Sequence, residues 1–337
     1  MRVWTFPPIL LLVLSLAPEA APQGFVSGQV VNPSGGGVAA VDLDFFRVSD
    51  GNEENNILND GTNAGGFFNT TAPPEIYDIL FYPPFSTSLL PKWVNGVTVV
   101  QSQTTNVGVV PLLAGFQLTA TFLRPGTGSP VVGAGVEVRD AATGVEVLQA
   151  VGSTDGSGLM TAVVPAGVYD LRLDPSGLAG PLLAPWQALG VAVNANTSLG
   201  VITLQSGFTL SATVLGSAGP PVPGVDLDVA PVAGGPDLFT PGDNTDLFGF
   251  VDVVVPAGAY EVQFAAPLAA KLVSILLAPV NVSTTTSLGT VQMSAGFYLS
   301  GTVTAVLGGP LGGVDLDVRD AASGASVPTS NDDTGPA

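Results

Sequence analysis

The sequence predicts an all-β protein made of tandem seven-stranded Greek-key β-sandwich domains that follow one another in a row. Three observations lead to this prediction: a composition rich in turn-forming residues, hydrophobic residues that alternate with polar ones, and a pattern that returns about every ninety residues. Together they exclude a helical protein and a disordered one.

The composition suits short strands joined by turns. The chain of 337 residues contains 43 Gly and 29 Pro, 10% of its residues are charged, and 46% are hydrophobic. Helices tolerate Gly and Pro badly, and disordered chains are poor in aliphatic and aromatic residues. The composition therefore favours a folded chain rich in strands, and length alone predicts two or three domains.

Repeated landmarks divide the chain more finely. A Val-Pro-Ala-Gly sequence followed by an apolar residue and Tyr begins at Val164 and returns at Val255. A Gly-Phe pair opens each repeat at Gly24, Gly115, Gly207 and Gly296. A period of this length marks an array of domains. The sequence thus predicts β-sandwich repeats over 23–114 (divergent), 115–206 and 207–295, and an incomplete fourth repeat over 296–337.

Alternation of apolar and polar residues locates the strands within one repeat. Successive side chains of a strand point to opposite faces, so a half-buried strand shows a period of two. Turns rich in Gly, Pro, Asn and Asp separate the alternating segments and favour a two-sheet sandwich. In the second repeat this pattern predicts seven strands, at 116–123, 136–139, 147–152, 159–164, 168–173, 190–193 and 198–204.

The amino terminus is typical of a secretory signal peptide. Arg2 precedes an apolar run over 9–17, and small residues follow it. The run is too short to span a hydrocarbon core of about 30 Å. We therefore predict a signal peptide over 1–22, cleaved near Ala20 or Ala21. The expected location is secreted or at the cell surface, extracellular or periplasmic, with no membrane insertion after the signal is removed.

Three segments carry a family resemblance. The sequences over 133–144, 154–158 and 164–171 resemble those of carboxypeptidase regulatory-like domains, which are grouped with the transthyretin-like and Cna-B-type sandwiches of bacterial exported surface proteins. The resemblance implies a prealbumin-like or immunoglobulin-like sandwich. It also implies a stalk, spacer or adhesion module, often as one piece of a larger surface protein.

Charge and composition exclude several functions. Lys and Arg number 8 against 27 Asp and Glu, which gives a net charge of −19 and a surface that repels nucleic acid. The chain has no His and no Cys, so it has no Ser-His-Asp triad, no cysteine nucleophile and no imidazole or thiolate metal site. A carboxylate pair remains for glycoside hydrolysis, but the acids recur in phase with the repeat. We predict no enzymatic activity and no cofactor other than calcium.

Two polar loops are the candidates for calcium. Asp50, Asn52 and Glu54 place oxygen ligands at alternate positions, and Asp243 and Asp246 form a shorter version. The first loop lacks the Gly and the final Glu of an EF-hand. Each loop can therefore be a calcium site or an ordinary polar hairpin.

Acidic pairs recur on the second strand of each repeat. They are predicted to point outward, because the residues between them are apolar. Their role is open between a solvated face, protection of a strand edge and half of a cation site. The pairs are Asp42/Asp44, Asp226/Asp228 and Asp315/Asp317, with Glu137/Arg139 in the second repeat.

Two tryptophans bear on carbohydrate binding, which needs exposed rings. Trp93 and Trp186 occupy similar phases, and Leu276 stands near the corresponding place in the third repeat. Replacement by Leu predicts packing in a core or between domains.

The sequence therefore predicts a non-catalytic secreted or cell-surface protein that is structural or adhesive and acts as a stalk or spacer. The alternative is an extracellular carbohydrate- or protein-binding module of a larger, possibly enzymatic, surface protein. A third hypothesis, a carbohydrate-active enzyme, requires two converging acids in one repeat only. Expected partners are an extracellular protein or glycan, or neighbouring copies of the chain.

Overall fold

A computed structural model describes residues 23–327 except 56, 58 and 307, together with 329 and 335. The predicted signal peptide over 1–22 lies outside the described residues. The chain divides into two compact units, Met1–Ala114 and Gly115–Ala337. No helix among the described residues is long and apolar enough to cross a membrane.

The first unit contains one sandwich of six strands. Its two sheets have the orders β3-β1-β6 and β2-β4-β5. A short 3-10 helix, Phe85–Thr87, lies between β4 and β5. The strands are β1 Gly24–Val31, β2 Asp42–Arg47, β3 Phe67–Ala72, β4 Ile76–Tyr82, β5 Lys92–Thr98 and β6 Thr104–Pro111.

The second unit contains two sandwiches with the same topology. Their sheets have the orders β12-β7-β9 and β11-β10-β8, then β15-β13-β18 and β14-β16-β17. The second repeat has β7 Phe116–Leu123, β8 Gly135–Asp140, β9 Leu159–Val164, β10 Gly167–Asp174, β11 Trp186–Val193 and β12 Thr197–Thr203. The third has β13 Phe208–Leu215, β14 Asp226–Pro231, β15 Phe250–Val255, β16 Gly258–Ala265, a 3-10 helix Leu268–Ala270, β17 Ile275–Val282 and β18 Thr286–Gln292.

Each sandwich has its own hydrophobic core between its two sheets. On β4, Tyr77, Ile79 and Phe81 are fully buried, whereas Ile76 is exposed. Alternation of this kind is what a strand with one face on the core requires. The prediction of tandem all-β sandwiches is confirmed.

The number of strands per repeat differs from the prediction. Each of the three complete repeats has six strands among the described residues and not seven, and in the second repeat it is the segment 147–152 that forms no strand. It is joined to β8 and β9 by single backbone hydrogen bonds, such as that from the Val147 N–H to the Val138 carbonyl oxygen at 2.8 Å, and by an isolated bridge from Ala150 to Ala162. The side chain of Gln149 is fully buried. The corresponding segments of the other repeats contain Gly, Asn and Pro, which strands disfavour.

The first and last strands of every repeat are adjacent and parallel. In the first repeat β1 pairs with β6, from Phe25 opposite Thr104 to Val31 opposite Pro111. β7 pairs with β12 and β13 with β18 in the same way. The chain therefore enters each pair at one end and leaves it at the other.

A buried threonine closes the loop before the second strand of each repeat. The Thr154 hydroxyl donates to the Val131 carbonyl oxygen at 2.6 Å and accepts from the Ala134 N–H at 3.1 Å. Thr62 and Thr245 make the corresponding bonds. Because all three are nearly inaccessible to water, these bonds satisfy backbone groups that water cannot reach.

The residue after each of these threonines forms a tight turn. Oδ1 of Asp155 accepts the N–H groups of Ser157 at 2.8 Å and Leu159 at 2.9 Å. Asn63 and Asp246 make the equivalent bonds in the other repeats. A side-chain oxygen that accepts local backbone N–H groups stabilises such turns.

A glycine three residues further on completes the turn. Gly158 has a φ of 77°, and a Cβ there would lie 2.4 Å from the Phe122 carbonyl oxygen. The positive φ and the close approach both require Gly. Gly66 and Gly249 repeat the arrangement.

A tyrosine near the start of β4, β10 and β16 forms a hydrogen bond to the segment just before its strand. The Tyr169 hydroxyl donates to the Pro165 carbonyl oxygen at 2.9 Å, and Tyr77 and Tyr260 make the same bond. This resembles the tyrosine corner of immunoglobulin-like sandwiches. It gives a physical reason for the Val-Pro-Ala-Gly landmark of the sequence.

The joint between the second and third repeats is hydrogen-bonded to the repeat before it. The Ala184 N–H donates to the Gln205 carbonyl oxygen at 3.0 Å, and the Gly207 N–H to that of Leu182 at 2.9 Å. A Cβ on Gly207 would lie 2.3 Å from Cγ1 of Val254. The joint is therefore a fixed segment and not a free linker.

The described part of the fourth repeat has local turns and no strand. Isolated bridges join Thr304 to Pro310 and Arg319 to Ser326. Oδ1 of Asp320 accepts the Ser323 N–H at 2.7 Å, as Asp140 does for a threonine in the second repeat.

Replacing the buried threonine tests its role. We expect Thr154→Val to lower the free energy of unfolding by about 2–4 kcal/mol, because it leaves a buried N–H and a buried carbonyl without partners. Thr161→Val, on the outward face of β9, should change it by less than about 0.5 kcal/mol. Urea unfolding measures both variants. Equal losses would contradict a special role for Thr154.

Candidate functional site

The first predicted calcium loop is held by an arginine. Nη2 of Arg47 lies 3.2 Å from Oδ2 of Asp50, and its Nη1 lies 2.8 Å from Oε2 of Glu54. Oδ1 of Asp50 also accepts the Asn52 N–H at 3.0 Å. That backbone hydrogen bond and the Arg47 guanidinium lower the pKa of Asp50 to about 2. The loop thus has its own cation between two of its carboxylates.

The second loop is also closed by its own hydrogen bonds. The Thr240 hydroxyl donates to Oδ2 of Asp243 at 2.8 Å, and Asp246 is the turn residue described above. Within the part of the chain that the structure describes, no three or more acidic side chains converge so that they could hold a metal ion. Both loops remain untested candidates, and their internal bonds favour the alternative of an ordinary polar hairpin over a calcium site.

The pairs of the three complete repeats lie on strands at the edges of their sheets, whereas Asp315 and Asp317 lie in no strand, contrary to the prediction. β2, β8 and β14 are edge strands. Asp42 is exposed and Asp44 half-buried, whereas Leu43 between them is buried. The carboxylates therefore point away from the core. Loop residues bridge the edges of these strands, as Gly61 does to Asp42 and Asn244 to Asp226.

Strand register identifies equivalent positions on the outward faces of the three repeats. Each face has a row of three residues, one from each strand of the sheet. The rows are Asp44–Leu80–Trp93, Glu137–Arg172–Gln187 and Asp228–Gln263–Leu276. An acid begins every row, and its neighbours differ.

In the second repeat this acid is paired with two arginines. Nη2 of Arg139 lies 2.6 Å from Oε1 of Glu137, and Nη1 of Arg172 lies 3.7 Å from its Oε2. The ring of Phe239, from the third repeat, lies 5.1 Å from the Arg172 guanidinium carbon. The guanidinium therefore contacts both a carboxylate and an aromatic ring.

In the first repeat the acid has no such partner. Among the described residues, no Lys or Arg forms an ion pair with Asp44. Burial, and then the neighbouring carboxylates Asp42, Glu53 and Asp60, raise the pKa of Asp44 to about 6. A cavity of about 130 Å³ is lined by Asp44 and by three loop acids, Glu53, Glu54 and Asp60.

The third repeat has a similar carboxylate. Burial, and then Asp226, Asp237 and Asp243, raise the pKa of Asp228 to about 6. Gln263 and Leu276 complete its row. The row has no aromatic side chain and no cation.

The two tryptophans point in opposite directions. Trp186 packs on the buried Phe122, with ring centroids 5.0 Å apart, which agrees with the predicted core packing. Trp93 is 39% exposed and lies 5.2 Å from Phe46 on the outward face. Trp93 occupies the register position of Gln187 and not that of Trp186. A shift of one residue along a strand reverses the face, so the packing prediction for Trp93 needs correction.

The sequence of this chain is far from those of known proteins. No family model matches it, and no curated protein is similar to it. Among solved structures it is similar to the Bacillus anthracis TIE protein (12% identity, TM-score 0.22, covering 82% of this chain and 50% of that one). It is also similar to the Streptococcal ancillary pilin (11%, 0.23, 81% and 99%) and the minor pilin of Streptococcus agalactiae (15%, 0.23, 56% and 99%). The chain thus spans half the length of the first of these proteins. The resemblance to carboxypeptidase regulatory-like domains stays a prediction.

The raised pKa of Asp44 predicts an unusual pH dependence of stability. A carboxyl with a folded-state pKa of about 6, against an ordinary value of 3.8, binds protons more tightly when folded. Stability should therefore rise as the pH falls from 7 to about 4. Asp44→Asn should raise the melting temperature of the first repeat at pH 7 and flatten this dependence, as measured by calorimetry.

Asp155→Asn is the matched control. In the unsubstituted protein, hydrogen bonds from Ser157 and Leu159 lower the pKa of the Asp155 carboxyl. An asparagine, Asn63, occupies the equivalent turn position in the first repeat. This variant should not stabilise the protein at pH 7. A drop in the melting temperature of Asp44→Asn would contradict the prediction.

Calcium can be tested on the full chain by thermal unfolding. A bound ion stabilises the folded state by mass action. Because Arg47 and local hydrogen bonds engage the carboxylates of both loops, we expect millimolar calcium to leave the melting temperature unchanged. A clear rise that is abolished by Asp243→Asn or Asp50→Asn would instead make these loops metal sites.

Proposed function

We propose that this chain is a non-catalytic, exported surface protein whose repeats act as a stalk or spacer. The signal-like amino terminus supports export to an extracellular or periplasmic location. The absence of His and Cys from the whole sequence, and the return of the acids in every repeat, favour a scaffold over an enzyme.

The parallel pairing of the first and last strands is the observation that carries this proposal. Tension on the chain pulls β7 from its amino end and β12 from its carboxyl end. Because the strands are parallel, these forces are opposed along the whole ladder. Its hydrogen bonds are then loaded together in shear and must break together. All three complete repeats share this geometry.

The joints support the same role. The hydrogen bonds of Ala184 and Gly207 tie the segment after β12 to the second repeat. Tension therefore passes from one ladder into the next repeat with little free chain between them. The joint after the third repeat is bonded in the same way.

An extracellular binding module is the second candidate function. The exposed Trp93 and the half-buried Asp44 favour it, because the row of this carboxylate contains an aromatic side chain in the first repeat and none in the other two. A stalk and a binding surface can belong to one protein.

Single-molecule pulling tests the mechanical proposal. Stretching the full chain by its ends should give three unfolding steps, each of about 30 nm for roughly ninety residues at 3.3–3.6 Å per residue. Since the chain contains no Cys, attachment points can be placed at will. Ala114→Cys with Gln205→Cys loads the β7–β12 ladder of the second repeat in shear.

The control changes only the direction of the force. Ala114→Cys with Ala195→Cys pulls at the adjacent amino ends of β7 and β12, so the ladder opens one bond at a time. All three positions are exposed. We expect a clearly higher unfolding force in the shear direction. Equal forces would overturn the proposal that these repeats are built to bear tension.

A further inference from the structure

The outward face of the β2-β4-β5 sheet combines acids with exposed rings. We name as the acidic–aromatic face Asp42, Asp44, Phe46, Leu80 and Trp93. The ring centroids of Phe46 and Trp93 lie 5.2 Å apart, Trp93 is 39% exposed, and Leu80 between Asp44 and Trp93 in the row is only 7% exposed. The carboxylate of Asp44 lies in the same row as Trp93.

Loop residues add to the negative charge of this face. At the edge of β2, Glu53 forms an isolated β-bridge to Phe46. Gly61, the neighbour of Asp60, forms a second isolated β-bridge to Asp42. Both loop carboxylates act on Asp44. In the part of the chain that the structure describes, no cation pairs with any of these four acids.

In the second repeat, arginine side chains occupy the equivalent positions of the outward face. There Glu137 stands in the place of Asp44, while Arg172 and Arg139 stand in the places of Leu80 and Phe46. Guanidinium groups therefore occupy the outward face, held by the carboxylate at 2.6 Å and 3.7 Å.

An aromatic ring completes that arrangement. Phe239 lies over the Arg172 guanidinium at 5.1 Å, a distance at which a cation and a ring attract each other. The first repeat has a carboxylate at the same position and rings of its own in Trp93 and Phe46, but neither of the two arginine positions holds an arginine. Its outward face therefore offers a guanidinium both a carboxylate and an aromatic ring.

We propose that the acidic–aromatic face binds an arginine side chain of a basic extracellular protein segment. The guanidinium would donate hydrogen bonds to Asp44 and stack on the ring of Trp93. Asp42, Glu53 and Asp60 add attraction for the positive charge. Arginine suits the site better than lysine because its planar group can bond a carboxylate and stack on a ring at once.

Charge and chemistry contribute differently to this binding. The net charge of −19 attracts any basic segment over a distance, but that attraction is shared by the whole surface and is screened by salt. Selectivity must come from the ring and the carboxylate together. The third repeat offers the comparison, because Asp228 has Leu276 in its row where Asp44 has Trp93.

The test is a titration of the full chain with a peptide of alternating Arg and Gly, at physiological ionic strength. A peptide of alternating Glu and Gly and a neutral linear glucan oligosaccharide are titrated in parallel. We expect the arginine peptide alone to bind. Asp44→Asn and Trp93→Leu should each weaken its binding about tenfold, from loss of a charge-assisted hydrogen bond or a cation–π contact.

Asp228→Asn is the matched control, because it removes one carboxylate of the same burial and strand position. It should leave the affinity unchanged. Thermal unfolding of each variant verifies that the first repeat is folded. The proposal is overturned if the arginine peptide does not bind, or if Asp228→Asn weakens it as much as Asp44→Asn does. Glucan binding that requires Trp93 and ignores Asp44 would also overturn it, and would assign the ring to a sugar. None of these results bears on the mechanical role of the strands.

Discussion

The hydrogen-bonded ladder between the first and last strands is the constraint on which each repeat depends. It joins residues such as Phe25 and Thr104, which are far apart in sequence, and places β1 in the middle of its sheet. The four strands between them must therefore take their places in the two sheets before the chain reaches the last strand. The buried threonine, its turn and the tyrosine bond repeat in all three sandwiches because each fixes one of these returns.

One position on the outward face has three different environments. In the second repeat the acid is neutralised by arginines, in the third it lies among further acids, and in the first it lies beside rings. The core residues beneath it differ in size but are apolar in every repeat, because they must fill the space between two sheets. The charge of the outward position is not restricted in this way, and function can differ between repeats that fold alike.

The sequence predicted the sandwich array because its alternation and its turns are local signals. It failed at 147–152, where a mostly apolar segment around the buried Gln149 makes single hydrogen bonds and an isolated bridge in place of a strand. It also misjudged Trp93, since alignment by phase cannot resolve a shift of one residue, which decides the face. The acidic surroundings of Asp44 depend on where the loop of Glu53 and Asp60 returns. No local pattern records that position.

The parallel ladder also has a consequence for how the protein is made. A repeat cannot close until its last strand is available, and the closing contact spans nearly the whole repeat. Such non-local pairing forms slowly, because loop-closure entropy is lost before the contact is gained. In the export that we propose, each repeat would emerge amino end first and could close only when its sixth strand appears. The strand order proposed to bear tension in the folded protein would thus also delay the folding of the emerging chain.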